Sequence, residues 1–222
     1  MHIIPASQED VDVIQRRGAN DSCPPPFEEA IGADHQSFDI YVENIKSATD
    51  DAEKIRWRNQ LTWAVARHAI SEELTLYPAM EKWLGEEGVQ LSKTDKEQHQ
   101  GRLKVKESLY EIQDMAPTDP SFWPKLDTLM DHLHHHIEHE KDEDMPRLEK
   151  LLPRAESEAL ARSFQRTKNI VPTRSHPAAP TEYYAESLVA LLAAPIDRLQ
   201  DWLRDFPTEE DGKRAEERRE KL

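Results

Sequence analysis

Two stretches of this chain repeat one spacing of histidine, glutamate and proline. His68 is followed by Glu72 and Pro78, and His136 by Glu140 and Pro146, so both read H-x3-E-x5-P. A lone histidine precedes each pair, His35 before the first and His99 before the second. On an α-helix, residues i and i+4 lie about 40° apart around the axis. His68 and Glu72 therefore share a face, as do His136 and Glu140. If a helical bundle closes with these faces inward, four imidazoles and two carboxylates meet in its core. Buried carboxylates without a counter-charge are costly, so a cation belongs between them. Mixed imidazole and carboxylate ligands suit iron, manganese or zinc, and two carboxylates can bridge a pair of ions. Two histidines and shared carboxylates leave each ion short of six ligands. The open positions go to water, hydroxide or dioxygen.

Other chemistries fit less well. There is no H-E-x-x-H motif and no E-x-x-H. His136-Ile137-Glu138 matches the H-x-E of zinc deaminases, but the cysteines that motif needs are missing. The single cysteine, Cys23, rules out an intramolecular disulfide and a cysteine-built zinc or iron–sulfur site. Five histidines fall between His132 and His139. His135, His139 and Glu143 make a competing four-spaced row, but the Pro78/Pro146 alignment selects His136 and Glu140. His132 extends the chosen row by a turn and is a candidate supporting residue. His134, His135 and His139 read as a solvated face. Tyr41, Trp63 and Tyr77 are candidate hydrogen-bond donors or pocket walls, although aromatics at helical spacing more often pack the core.

The elements that must position these residues are helices. The chain has 222 residues, of which 33% are charged, 37% apolar and only 6 glycine. Scarce glycine and the absence of Asn-Gly turns argue against a β fold. Pro24-Pro25-Pro26 closes an extended lead-in over residues 1–26. A helix begins at Phe27, with Ile31, His35, Phe38, Val42 and Ile45 on one face. A second starts after Asp50-Asp51 and runs toward Leu84, where Gly85 and Gly88 break it. Ser92 and Asp95 resemble a capping box for a third helix reaching about Met115. Ser121 is placed to cap a fourth, with Pro124 in its first turn. The two prolines of the repeat are expected to bend or end their helices at one end of the bundle. Four such helices with short links predict an all-α, antiparallel four-helix bundle over 27–152. A helical extension with a Pro-rich strap occupies 153–207, interrupted at Pro195. Residues 208–222 are almost all charged and read as a frayed tail.

The net charge of −15 argues against nucleic acid and against anionic membrane surfaces. No run approaches the ~20 apolar residues of a membrane span, and no signal-like segment stands at residues 1–17. A cytoplasmic location is the expectation.

The pattern resembles the hemerythrin-like, or HHE cation-binding, domains over about Phe27 to Leu152. Pro172-Thr173-Arg174-Ser175-His176-Pro177 is similar to the C-terminal strap of some members. The resemblance implies a site of two non-haem iron ions with an oxo or hydroxo bridge, manganese and zinc ranking below iron. It implies ligands at His35, His68, Glu72, His99, His136 and Glu140, and dioxygen or a related small molecule as partner. One departure stands out. Oxygen-carrying hemerythrins have a second histidine one turn along the third helix, where this chain has Leu103. That loss turns the reading away from simple reversible oxygen carriage. The leading expectation is a protein that binds, senses or detoxifies dioxygen, peroxide or nitric oxide, or handles iron. The alternative is a di-iron oxidase or oxygenase acting on a small organic substrate. A third reading is a helical adaptor stapled by metal.

Overall fold

A computed structural model describes residues 26–100, 105–176 and 193–221, with the backbone alone for 96–100. The helices are α1 (Phe27–Ser47), α2 (Asp51–Leu84), α3 (Glu86–Gln100), α4 (Val105–Ile112), α5 (Phe122–His139), α6 (Met145–Leu151), α7 (Arg154–Thr167), α8 (193–201) and α9 (Glu209–Arg219). A five-residue π turn, Glu140–Asp144, joins α5 to α6. No strand occurs among the described residues, and none of their helices is long and apolar enough to cross a membrane.

Cross-helix pairings set the topology. Asp39 meets His134 and Lys46 meets Asp127, so α1 and α5 run antiparallel. Ser108 meets His132 and Glu111 meets Lys125, which does the same for α4 and α5. Tyr41 of α1 stacks on Trp57 of α2, while His35 reaches His68. The result is an all-α antiparallel bundle with a helical C-terminal extension.

Local chemistry explains most boundaries. The Asp50 carboxylate accepts the Glu53 N–H and caps α2, a contribution of about 1 kcal/mol. Gly85 alone ends α2, with φ of 62° in the left-handed region. Gly88 lies inside α3. A Cβ there would stand 2.0 Å from the Met80 carbonyl oxygen, so glycine is what lets α3 pack against α2. Ser92 is accordingly mid-helix and caps nothing; its hydroxyl donates to the carbonyls of Gly88 and Tyr77. Ser121 stands at the N-cap of α5, but its hydroxyl makes no cap bond; the Asp119 carboxylate accepts the Ser121 N–H. Pro78 is held inside α2, which continues to Leu84. Pro146 stands in the first turn of α6, immediately after the π turn. Pro195 stands in the first described turn of α8, and the residues that precede 193, on which its expected interruption bears, lie outside the described ones.

The charged C-terminus departs from its expected frayed state. Residues Glu209–Arg219 form a helix with a complete capping box between Thr208 and Asp211. Asp211 is buried and receives two hydrogen bonds from Arg56, and Arg218 reaches the buried Glu53. Fixed ion pairs to α2 thus order a segment whose composition alone predicts disorder.

Two apolar clusters fill the bundle. One gathers Phe38, Val42, Leu61, Val65, Leu109, Leu126 and Leu133. The other gathers Phe27, Ile31, Leu76, Met80, Met145, Leu148 and Phe164. On α1, α2 and the α5–α6 run, the residues between these clusters are Asp34 and His35, His68 and Glu72, and His136 and Glu140. A polar layer is therefore enclosed between two apolar ones.

Candidate metal centre

Each helix lends the layer a pair or a single side chain. α2 presents His68 and Glu72 one turn apart, with His68 Nε2 2.6 Å from Glu72 Oε1. α1 presents His35, whose Nε2 lies 3.0 Å from His68 Nε2, 3.8 Å from Glu72 Oε1 and 3.4 Å from Glu140 Oε2. α5 presents His136, with Nε2 3.7 Å from Glu72 Oε2 and 3.6 Å from Glu140 Oε1. Glu140 follows at the start of the π turn.

The two carboxylates divide their oxygens in the same way. Glu72 Oε1 and Glu140 Oε2 face His35, and Glu72 also turns Oε1 to His68. Glu72 Oε2 and Glu140 Oε1 face His136. Both glutamates thus stand between a His35/His68 side and a His136 side.

The site is dry. His68, Glu72, His136 and Glu140 are at most 2% exposed, and His35 is the side chain nearest solvent. Phe38 and Phe164 set their rings edge-on to His68, with centroids 5.1 and 5.6 Å away.

Electrostatics in the metal-free chain follow from this burial. Burial drives the His35 imidazole down to about 4 despite Glu72 beside it. Burial also opposes charge on His68, but Glu72 and Asp34 outweigh it and raise the group to about 9. His136 rises to about 9 in the same way, held by Glu140 and Glu72 against burial. Burial opposes the Glu72 charge too, yet His68 and its neighbours hold that carboxyl well below its usual range. Glu140 goes the other way, pushed well up by burial and by the Glu72 charge. The cluster therefore holds protons where a cation would supply the positive charge.

Behind His68 lies a support that the sequence reading missed. The Asp34 carboxylate is 3.1 Å from His68 Nδ1 and accepts both 2.7 and 2.8 Å hydrogen bonds from Lys168 Nζ. Burial alone would raise Asp34, but Lys168 and His68 bring it down to about 2. A carboxylate on Nδ1 makes that nitrogen the donor, which leaves the Nε2 lone pair facing the cluster. Arg67 Nε donates 2.6 Å to the Lys168 carbonyl, fixing the end of α7 on α2.

The remaining predicted residues differ in where they lie; of the three candidate supporting residues, Tyr77 is close enough to feel both Glu72 and Glu140. The backbone of His99 falls on α3, and its side chain lies outside the described residues, as do Leu103 and Cys23. His132 does not join the cluster; its Nδ1 is 3.0 Å from Ser108 Oγ. Tyr41 is buried in the apolar core against Trp57. Tyr77 is fully buried, and its hydroxyl is pushed up by burial and by Asp95, Glu72, Glu73 and Glu140. His134 and His135 are exposed, but His139 is not part of a solvated face. It is half-buried, 3.1 Å from Asp144 and 3.4 Å from Asp95.

The donor set fits a cation. One ligand atom each from His35, His68, Glu72 and Glu140 lies within 4.8 Å of the others. Two ligands at right angles on an ion with bonds of about 2.1 Å stand about 3.0 Å apart, which is the His35–His68 separation. Both Glu140 oxygens are buried with no hydrogen-bond donor among the described residues, an arrangement that is expensive unless a cation compensates it.

Comparison with known proteins gives the family of this bundle. The family model for the hemerythrin HHE cation-binding domain matches residues 27–148. The chain is 45% identical over 179 residues to an uncharacterised hemerythrin-like protein of Schizosaccharomyces pombe, covering 81% of this chain and 87% of that protein. No solved structure matches the chain.

Proposed function

The chain belongs to the hemerythrin HHE cation-binding family, and from that premise we propose that it holds a pair of non-haem iron ions and uses them to bind, sense or detoxify dioxygen, peroxide or nitric oxide, or to handle iron. The observation that carries this reading is the split orientation of Glu72 and Glu140. Each turns one oxygen toward His35 and the other toward His136, which is what carboxylates bridging two ions require. His35 and His68 serve one ion. His136 serves the other, and His99 on α3 is assigned to it as a further ligand. Imidazole with carboxylate suits iron, with manganese or zinc as weaker candidates.

Bound iron supplies an open coordination position and one-electron chemistry toward small oxygen or nitrogen ligands. The rest is done by the chain. Asp34 holds the His68 tautomer, and Lys168 holds Asp34 ionised. The aromatic edges of Phe38 and Phe164 keep water from His68. His35, at the margin of the layer, is where a diatomic ligand reaches the cluster.

The oxidase alternative requires an organic substrate beside the cluster. Among the described residues, one apolar pocket is walled by Val65, Ala69, Ile70, Val105, Leu109 and Pro172, and a second, more polar one is lined by Asp34, Phe38, Tyr41, Trp63, Arg67 and Lys168. Neither is lined by His35, His68, Glu72, His136 or Glu140, but the second backs onto His68 through Asp34 and Phe38, so it is where such a substrate would sit.

Anaerobic reconstitution with ferrous iron tests the reading. The wild-type chain is expected to retain two more tightly held ions than the Glu72→Gln/Glu140→Gln variant, and its reduced form to change its optical spectrum on exposure to air or nitric oxide. Equal iron in both proteins, or a single zinc that iron cannot replace, would overturn it. Oxygen uptake that depends on an added organic substrate would favour the oxidase.

A further inference from the structure

Three side chains outside the Glu72–Glu140 cluster converge on a second point. They are Asp95 of α3, His139 at the end of α5 and Asp144 at the end of the π turn. His139 Nδ1 lies 3.1 Å from Asp144 Oδ2 and 3.4 Å from Asp95 Oδ1. One donor atom from each residue lies within 4.8 Å of the other two. Both aspartates are fully buried, and His139 is 24% exposed. Both Asp95 oxygens and Asp144 Oδ1 are buried with no hydrogen-bond donor among the described residues.

Two buried carboxylates facing one another repel, and the single imidazole beside them supplies at most one positive charge. A proton shared between the two acids or a bound cation must therefore satisfy the three orphaned oxygens.

The backbone is shaped to make this meeting. In a regular α-helix, residue i+5 points about 140° away from residue i. His139 and Asp144 stand at that spacing yet touch. The π turn between them widens the helix, with the Met145 N–H donating to the Glu140 carbonyl five residues back. That turn brings Asp144 round to His139, and α3 supplies Asp95 from the neighbouring helix. Single π turns of this kind are rare and concentrate at functional sites.

We propose that Asp95, His139 and Asp144 form a second divalent-cation site, distinct from the Glu72–Glu140 cluster. Two carboxylates and one imidazole select a first-row ion such as Mn²⁺, Fe²⁺, Co²⁺ or Zn²⁺ over Ca²⁺, which takes oxygen ligands alone. The site opens to solvent at His139, so an incoming ion meets the imidazole first and the buried carboxylates next. It shares no ligand with the main cluster, and its occupancy does not depend on the di-iron reading.

Cobalt titration of the full-length chain, followed by calorimetry and visible absorption, tests the proposal. In the Glu72→Gln/Glu140→Gln variant, one Co²⁺ per chain is expected to bind still. Adding Asp95→Asn is expected to abolish it, and adding His139→Gln to weaken it at least 10-fold. In the otherwise wild-type chain, Asp95→Asn/Asp144→Asn is expected to remove one ion and leave the others. His139→Gln alters a partly exposed side chain and serves as the readout if the buried aspartate variants lose helical circular dichroism. No Co²⁺ uptake by the cluster-disabled chain would overturn the proposal, the two carboxylates then merely sharing a proton. So would uptake unaffected by Asp95→Asn and His139→Gln. Failure of the di-iron reading looks different: wild type and the Glu72→Gln/Glu140→Gln variant would bind equal numbers of ions.

Discussion

Asp34 decides how His68 can serve the centre, because it fixes which imidazole nitrogen carries the proton. Asp34→Asn is expected to weaken iron retention about 10- to 100-fold and to lower thermal stability, since Lys168 is left buried without its carboxylate. In Asp34→Asn/Lys168→Met, stability should recover while iron retention stays weak; competition titration and thermal melts separate the two effects. Protons set a second expectation. In the metal-free chain His68 and His136 are raised to about 9, so both are protonated at neutral pH. Ligation needs them neutral, so iron affinity should climb as pH rises from 6 toward 9, with protons released on binding. An affinity flat over that range, measured by competition with a chelator, would contradict this. The periodic residues of the layer were legible from spacing, because i,i+4 pairs on a helix share a face. Asp34, Lys168, Asp95 and Asp144 were not. Their partners lie on other helices, or at an i+5 spacing that only a π turn makes adjacent.

Helix pairing carries its own tests. The approach of α3 to α2 depends on Gly88, where a methyl group would collide with the Met80 backbone. Gly88→Ala should therefore destabilise the fold by about 1–3 kcal/mol, read as a lower denaturation midpoint. In the sequence both Gly85 and Gly88 look like helix breakers, because a glycine needed for close packing cannot be told there from one needed for its backbone angle. Gly85 is the one with positive φ. Serines at plausible cap positions misled in the same way. Ser92 sits mid-helix because α3 starts at Glu86, and Ser121 stands at the N-cap of α5 without its hydroxyl making a cap bond. Cap signals are local, and the tertiary approach of α2 to α3 overrode one of them.

At the scale of the whole molecule, the segments beyond the family-matched region complete the bundle. α7 delivers Lys168 to Asp34, and the strap locks onto α4 through Ser175, which bonds both Gln113 and the Lys106 carbonyl. α9 is anchored by Asp211. Burial opposes its charge, but Arg56 and Thr208 outweigh it, holding the carboxyl far below the usual aspartate range. A lowered pKa contributes stability above the ordinary aspartate value, and that stability is lost as pH falls through the folded value. Acidification should loosen α9 progressively from about pH 4 downward, seen as increased hydrogen exchange over 209–219, and Asp211→Asn should release it at neutral pH. Composition alone predicts a frayed segment here because charge density does not reveal its fixed partners on α2, Arg56 and Glu53. The bundle itself was legible because its apolar periodicity is long and regular.

The central claim is that Glu72 and Glu140 join two irons. Electron paramagnetic resonance and Mössbauer spectra of the oxidised, iron-reconstituted chain test it most directly. Two ferric ions held between these carboxylates and sharing an oxo or hydroxo bridge would couple their spins, so the account predicts a diamagnetic pair at low temperature, with no ferric resonance matching the iron content. A resonance from isolated high-spin ferric ions that accounts for all of the bound iron would contradict it.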